Sequence, residues 1–154
     1  MLIVFFFAFV ILVNTSKCPD NTIHADFNPG ICYYFGGQNM TFKKAEKDCQ
    51  NNYANLIRTR NMIDDMVLSQ QAFLYFKSNF TSDFWFGLRK MDNNIWAWTD
   101  GTELEYPNWG YDEPNPDMNC GAMAFAGGKW SAQNCSTEKP FVCSFKAENL
   151  NIGN

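Results

Sequence analysis

Two short segments decide the reading of this chain: Phe84-Trp85-Phe86-Gly87-Leu88 and, after a polar break, Ile95-Trp96-Ala97-Trp98 followed by Thr99-Asp100-Gly101-Thr102. From Phe84 onward the helical period vanishes. Both segments read as strands rich in large rings, and the tetrapeptide after Trp98 reads as a turn. Working toward the C-terminus, residues 104–119 form a polar loop carrying Pro107, Pro114 and Pro116. Further short strands are expected at Cys120 to Phe125, Lys129-Trp130 and Phe141 to Phe145. Toward the N-terminus, Thr41 is placed to cap a helix of about ten residues, with Phe42, Ala45 and Cys49 on one face. A second helix is expected over 62–76, with Met62, Met66, Val67, Phe73 and Leu74 facing inward. Before it, Ile31-Cys32-Tyr33-Tyr34-Phe35 reads as a strand stopped by Gly36-Gly37. Helices first and strands afterwards indicate an α+β domain with one irregular loop of about fifteen residues, a length usually tied to function in a compact domain.

The chain has 154 residues, 46% of them hydrophobic and 17% aromatic, and a formal net charge of −4. That length indicates one domain, and that apolar content fills a real core and excludes a disordered chain. The acidic balance argues against nucleic acid as a partner, which needs clustered Lys and Arg. Leu2 to Val13 is an apolar run too short to span a bilayer, and it is followed by Asn14-Thr15-Ser16. It reads as the core of a secretory signal over 1–16, with an uncleaved anchor as the rival reading. The expected organisation is then a domain over 17–146 and a short flexible tail over 147–154, soluble and extracellular once the signal is removed. Cys18, Cys32, Cys49, Cys120, Cys135 and Cys143 suit an oxidising route, and six cysteines leave 15 possible pairings open. Asn39-Met40-Thr41 and Asn79-Phe80-Thr81 are glycosylation sequons.

The search for catalytic chemistry returns little. His24 is the only histidine, and no nucleophile, metalloprotease or phosphate-loop pattern occurs. Glu103 and Glu105 share strand parity, but acidic neighbours on a surface hairpin explain them. Near Asp92-Asn93-Asn94 the EF-hand pattern fails, because Trp96 and Trp98 occupy ligand positions. The constellation that stands out is Asn108-Trp109-Gly110-Tyr111-Asp112-Glu113-Pro114-Asn115-Pro116-Asp117. Calcium requires converging carboxylate, amide and carbonyl oxygens, and a proline-stiffened loop can present them. The same Glu and Asn could hydrogen-bond vicinal sugar hydroxyls.

With these motifs in order, the chain resembles a C-type lectin domain. The family's W-I-G-L signature resembles Trp85-Phe86-Gly87-Leu88, its W-x-W-x-D-G signature resembles Trp96 to Gly101, and its E-P-N motif is Glu113-Pro114-Asn115. The resemblance implies an α+β C-type lectin-like fold with two helices packed on small antiparallel sheets. It also implies the pairings Cys49–Cys143, Cys120–Cys135 and Cys18–Cys32. On a loop-entropy account the longest would stabilise by roughly 4–5 kcal/mol and each shorter one by about 3. The signature tryptophans Trp85, Trp96, Trp98 and Trp130 are expected to be packing residues.

In sugar-binding members of the family, calcium is held by E-P-N, by an acidic residue shortly before the next cysteine, and by W-N-D. Here Glu113 and Asn115 match, but Met118 stands at the acidic position and the last motif reads Trp130-Ser131-Ala132. A shortened segment before Cys120 offers Asp117 or Asn119 instead. The expected metal ligands are therefore Glu113, Asn115 and Asp117, and the expected sugar contacts are Glu113, Asn115, Asp117, Asn119 and Trp109. The resemblance implies a secreted, non-enzymatic carbohydrate-binding module, mannose-type by its E-P-N motif, with a degraded calcium site. Its partner would be a glycan or glycoprotein, such as a microbial surface met in innate immunity. The alternative is a calcium-independent module binding a protein or another surface.

Overall fold

The computed structural model describes residues 16–19, 22–25 and 28–149. Its elements run β1 (Ser16–Lys17), β2 (Ile23–Ala25), β3 (Asn28–Met40), α1 (Phe42–Asn51), β4 (Asn55–Leu56), α2 (Met62–Phe76), β5 (Asp83–Lys90), β6 (Trp96–Trp98), β7 (Cys120–Ala124), β8 (Trp130–Gln133), β9 (Lys139–Lys146) and β10 (Glu148–Asn149). The main sheet has the order β2-β3-β9-β5-β7-β8, with β4 joined to β9 and β6 to β5. The pairing of β1 with β10 brings Ser16–Lys17 against Glu148–Asn149. The signal segment through residue 15 lies outside the described residues, as do residues 150–154.

The deciding stretch becomes β5, and its alternation explains the architecture. Successive strand side chains point to opposite faces. Phe84, Phe86 and Leu88 join one core with Leu68, Ala72 and Phe76 of α2 and with Trp98 and Trp130. Trp85 points the other way, into a second core with Phe42, Ala45 and Cys49 of α1 and with Phe141. A strand covered on both faces has no polar positions to alternate, and this one reads as a continuous apolar run. The Trp85 indole is satisfied by donating to the Met40 carbonyl at 2.9 Å.

Gly87 sits where β5 crosses the chain leaving β4. Its N–H donates to the Ile57 carbonyl at 2.7 Å. A Cβ there would lie 2.5 Å from the Leu56 carbonyl oxygen, a backbone atom that cannot swing aside. Gly87→Ala is therefore expected to cost about 3 kcal/mol, at the upper end of overpacking penalties. Urea unfolding of the variant checks this, and an unchanged midpoint would contradict the contact.

Three expectations need correction. β3 does not stop at Gly36-Gly37 but continues to Met40. Gly36 lets the Phe141 ring lie across the strand, because an added Cβ would come within 2.2 Å of it. Thr41 occupies the N-cap of α1, but its side chain makes no capping hydrogen bond. The inward face of α2 is not the one expected. Met62, Met66, Phe73 and Leu74 are each half exposed or more, and Val67 is only partly covered. The face that packs is Asp65, Leu68, Ser69, Ala72 and Phe76. Its spacing is equally helical, so periodicity does not separate the two faces. Small Ala72 permits close approach to the sheet, and Asp65 is drawn inward as an acceptor for buried N–H groups.

Disulfides join Cys18 to Cys32, Cys49 to Cys143 and Cys120 to Cys135. Among the described residues no helix is long and apolar enough to cross a membrane.

Candidate functional site

The loop between β6 and β7 is strapped down at its base and exposed at its tip. Asn108 is buried. Its Nδ2 donates to Asp65 Oδ2 at 2.7 Å and to the Gly128 carbonyl at 3.2 Å, and its Oδ1 accepts from Lys129 Nζ at 2.6 Å. Trp130 N donates to the Asn108 carbonyl, and Gly110 N donates to the Trp130 carbonyl, so the loop base runs beside β8. Trp109 is half-buried, its ring centroid 4.8 Å from that of Trp96 and 5.7 Å from that of Trp130. That ring supports the loop from below, packed edge-on against Trp96 and Trp130.

Beyond Gly110 the chain turns outward. Tyr111 is 94% exposed, and Asp112 has φ 57°. A left-handed conformation outside glycine is tolerated best by Asp and Asn. The Glu113–Pro114 peptide is cis. Glu113 then folds back. Its Oε2 accepts from the N–H of Asn115 at 2.8 Å and from the N–H of Ala132, in β8, at 2.9 Å. Asn115 Oδ1 accepts from the N–H of Asp117 at 3.0 Å. Lys90, from the end of β5, donates to the Pro116 carbonyl at 2.6 Å and lies over the Trp96 ring. Asn115, Asp117 and Asn119 are all exposed.

The structure thus brings Glu113, Asn115 and Asp117 into one hydrogen-bonded turn. The neighbouring strand contributes a backbone N–H where a cation would need oxygen. Calcium takes six to eight oxygens, several of them carboxylate. Met118 supplies none, Ala132 turns its N–H toward Glu113, and Ser131 offers one neutral hydroxyl. Among the described residues no three His, Cys, Asp or Glu side chains gather at a metal-binding point. The donor set present does not fit calcium.

Lys90 and the pairing of Asp65 with Asn108 are the positioning groups that sequence reading missed. Asp65 shows in the sequence only as one of two adjacent acids at a helix start. Nothing local marks it as buried beneath a loop some forty residues away.

The family model described as Lectin C-type domain matches residues 38–145. Dromaiocalcin-2 of Dromaius novaehollandiae is 32% identical over 129 residues, covering 76% of this chain and 89% of that protein. The secretory phospholipase A2 receptor of Oryctolagus cuniculus is 28% identical over 141 residues, which cover 82% of this chain but only 9% of that protein. Among solved structures, the C-type carbohydrate-recognition domain of cow CD23, obtained in the presence of a GlcNAc2Man3 oligosaccharide, superposes with a TM-score of 0.74 at 28% identity. It covers 86% of this chain and 98% of that one.

Proposed function

The chain belongs to the C-type lectin domain family, and on that premise we propose that it is an exported binding module whose Glu-Pro-Asn loop meets its ligand without calcium. The observation that carries this reading is the Glu113 carboxylate, whose Oε2 is held by the N–H groups of Asn115 and Ala132. Two charge-assisted hydrogen bonds do for the loop what a cation does in the metal-dependent members: they satisfy the acid and fix the turn. The contact surface is then the exposed tip formed by Tyr111, Asp112, Asn115, Pro116 and Asp117. Its two carboxylates, one amide and one phenol hydroxyl can pair with sugar hydroxyls, which suits a glycan or glycoprotein. A microbial surface is the member of that class the family favours.

The competing reading is a mannose-type lectin that grips its sugar through calcium at Glu113, Asn115 and Asp117. The Glu-Pro-Asn motif favours it, and one experiment separates the two. The exported, oxidised chain is passed over mannan with calcium and then with chelator, and its melting temperature is measured with and without the metal. An intact extracellular site with Kd near 1 mM would add about 1.4 kcal/mol at roughly 10 mM calcium, a rise of about 4 °C. We expect no chelator-released fraction and no such rise. Retention that chelator reverses, or a calcium-dependent rise, would overturn the metal-free reading.

A further inference from the structure

The two glycosylation sequons stand 40 residues apart in the chain and meet in space. Asn79 Nδ2 donates to Asn39 Oδ1 at 3.0 Å. Asn39 lies at the end of β3. Asn79 lies just past α2, its N–H donating to the Phe76 carbonyl at 2.8 Å. The two are not equivalent. Asn39 is exposed and Asn79 half-buried. Their bond engages Asn39 through its oxygen and Asn79 through its nitrogen, the atom a sugar would need.

The hydroxyls differ in the same direction. From Asn39 to Thr41 the backbone is extended, with ψ 154° at Thr41, so the amide and the hydroxyl point to one side. Thr41 spends its hydroxyl on no capping bond. In the other sequon Phe80 has φ 53°, which breaks that alternation. Thr81 Oγ1 donates to the Asp83 carbonyl at 2.8 Å and accepts from the Asp83 N–H at 3.3 Å.

We infer that Asn39 and Asn79 make up one modification site, which takes a single N-linked glycan, on Asn39 in the native chain, with Asn79 as its amide partner. The donor class is a polyprenyl-diphosphate-linked oligosaccharide. A bond forms from Asn39 Nδ2 to C1 of the sugar, and the bond from C1 to the diphosphate oxygen breaks. The lipid diphosphate leaves, and the proton given up by the amide passes to it. Asn39 Oδ1 is untouched, so the hydrogen bond from Asn79 survives. The two amide nitrogens lie no more than about 5.3 Å apart, the 3.0 Å contact plus the width of one amide group. Two sugar rings rooted that close press into one volume. A chain modified at both positions cannot bring the end of β3 against the end of α2, so the folded, exported chain carries one glycan.

The test is site-resolved mass spectrometry of the full chain secreted by an animal cell line. Enzymatic release of glycans in heavy-oxygen water marks each former site as Asp. The inference rests on the export reading, so the chain is made with its own leader and, in parallel, behind a foreign one. Failure of the first alone overturns export, while the second still decides the pair. Asn134-Cys135-Ser136, whose middle residue is bridged to Cys120, is mapped on its own peptide and stays out of the count. We expect a glycan on Asn39 and none on Asn79. Asn39→Gln and Thr41→Ala, which each remove the first sequon, should move the glycan to Asn79. Asn79→Gln should leave Asn39 occupied. Chains with both asparagines modified as an abundant species would overturn the inference. So would a native glycan on Asn79 or bare asparagines at both positions. An Asn39→Gln chain with Asn79 still bare would overturn it as well, because Asn79 would then be silent for a reason other than its neighbour.

Discussion

Asp65→Ala is expected to remove about 3–5 kcal/mol of stability near pH 4, where the native carboxyl is protonated and bears no charge-burial penalty, a large share of what a domain of this size holds. The carboxyl is wholly buried. Oδ1 accepts from the Trp130 indole N–H at 3.1 Å and Oδ2 from Asn108 Nδ2 at 2.7 Å. Alanine leaves both donors in an apolar surround without an acceptor and opens a cavity beneath the loop. The damage should reach function, because Asn108 is the residue that ties the loop base to β8.

The same group sets a pH dependence. Burial pushes the Asp65 carboxyl from 3.8 up to about 6; the hydrogen bonds from Asn108 and Trp130 oppose that rise, and neighbouring Asp64 adds to it. The Thr59 hydroxyl, buried against the same carboxyl, makes no hydrogen bond of ordinary geometry. The native pKa is raised above the unfolded one, so between those values the folded chain holds a proton that the unfolded chain has released. Stability from this group is full below pH 4 and lost as pH rises toward 6, by about 3 kcal/mol in all. Asp65→Asn keeps one acceptor and no charge. Urea unfolding from pH 4 to 7 should show a falling contribution in the native chain that the Asn variant lacks. Equal pH slopes for the two proteins would sink this account of Asp65.

The deciding stretch was legible because its physics is local. Phe84 to Leu88 has no polar position at which to meet water, so only a doubly covered strand accommodates it. The spacing of Phe42, Ala45 and Cys49 likewise leaves α1 one face to bury. For α2 the sequence contains two apolar stripes. The choice between them depends on Trp130 and Asn108, partners 65 and 43 residues away. An acid buried for the sake of distant donors leaves no periodic trace. The Glu113 site was half legible for a related reason. Side chains announce a motif, and the absence of acids at Met118, Ser131 and Ala132 could be read directly. The group that holds Glu113 is a backbone N–H, which every residue but proline carries, so no residue type could signal it.

Removing the Cys49–Cys143 bridge as Cys49→Ala with Cys143→Ala is expected to cost about 4–5 kcal/mol, more than removing either shorter bridge. On the chain-entropy account the gain grows with the loop closed. This bridge closes a separation of 94 residues, against 15 for Cys120–Cys135 and 14 for Cys18–Cys32. Position amplifies the effect. Both sulfurs are fully buried in the core between α1 and the sheet, where Cys143 pairs across the ladder with Leu56 and Tyr34. The two alanines thus remove packing as well as a cross-link. The Cys120–Cys135 bridge holds β7 to the chain just after β8, beside the strand that supplies the Ala132 N–H to Glu113. Its loss should cost about 3 kcal/mol globally but loosen the loop first. Denaturant midpoints for the two double variants, read with hydrogen exchange at Ala132, separate the cases. The first should lower the midpoint most while leaving Ala132 protection proportional to global stability. The second should lose protection at Ala132 out of proportion. The reverse ranking of midpoints would show that the unfolded chain is too compact for loop length to matter.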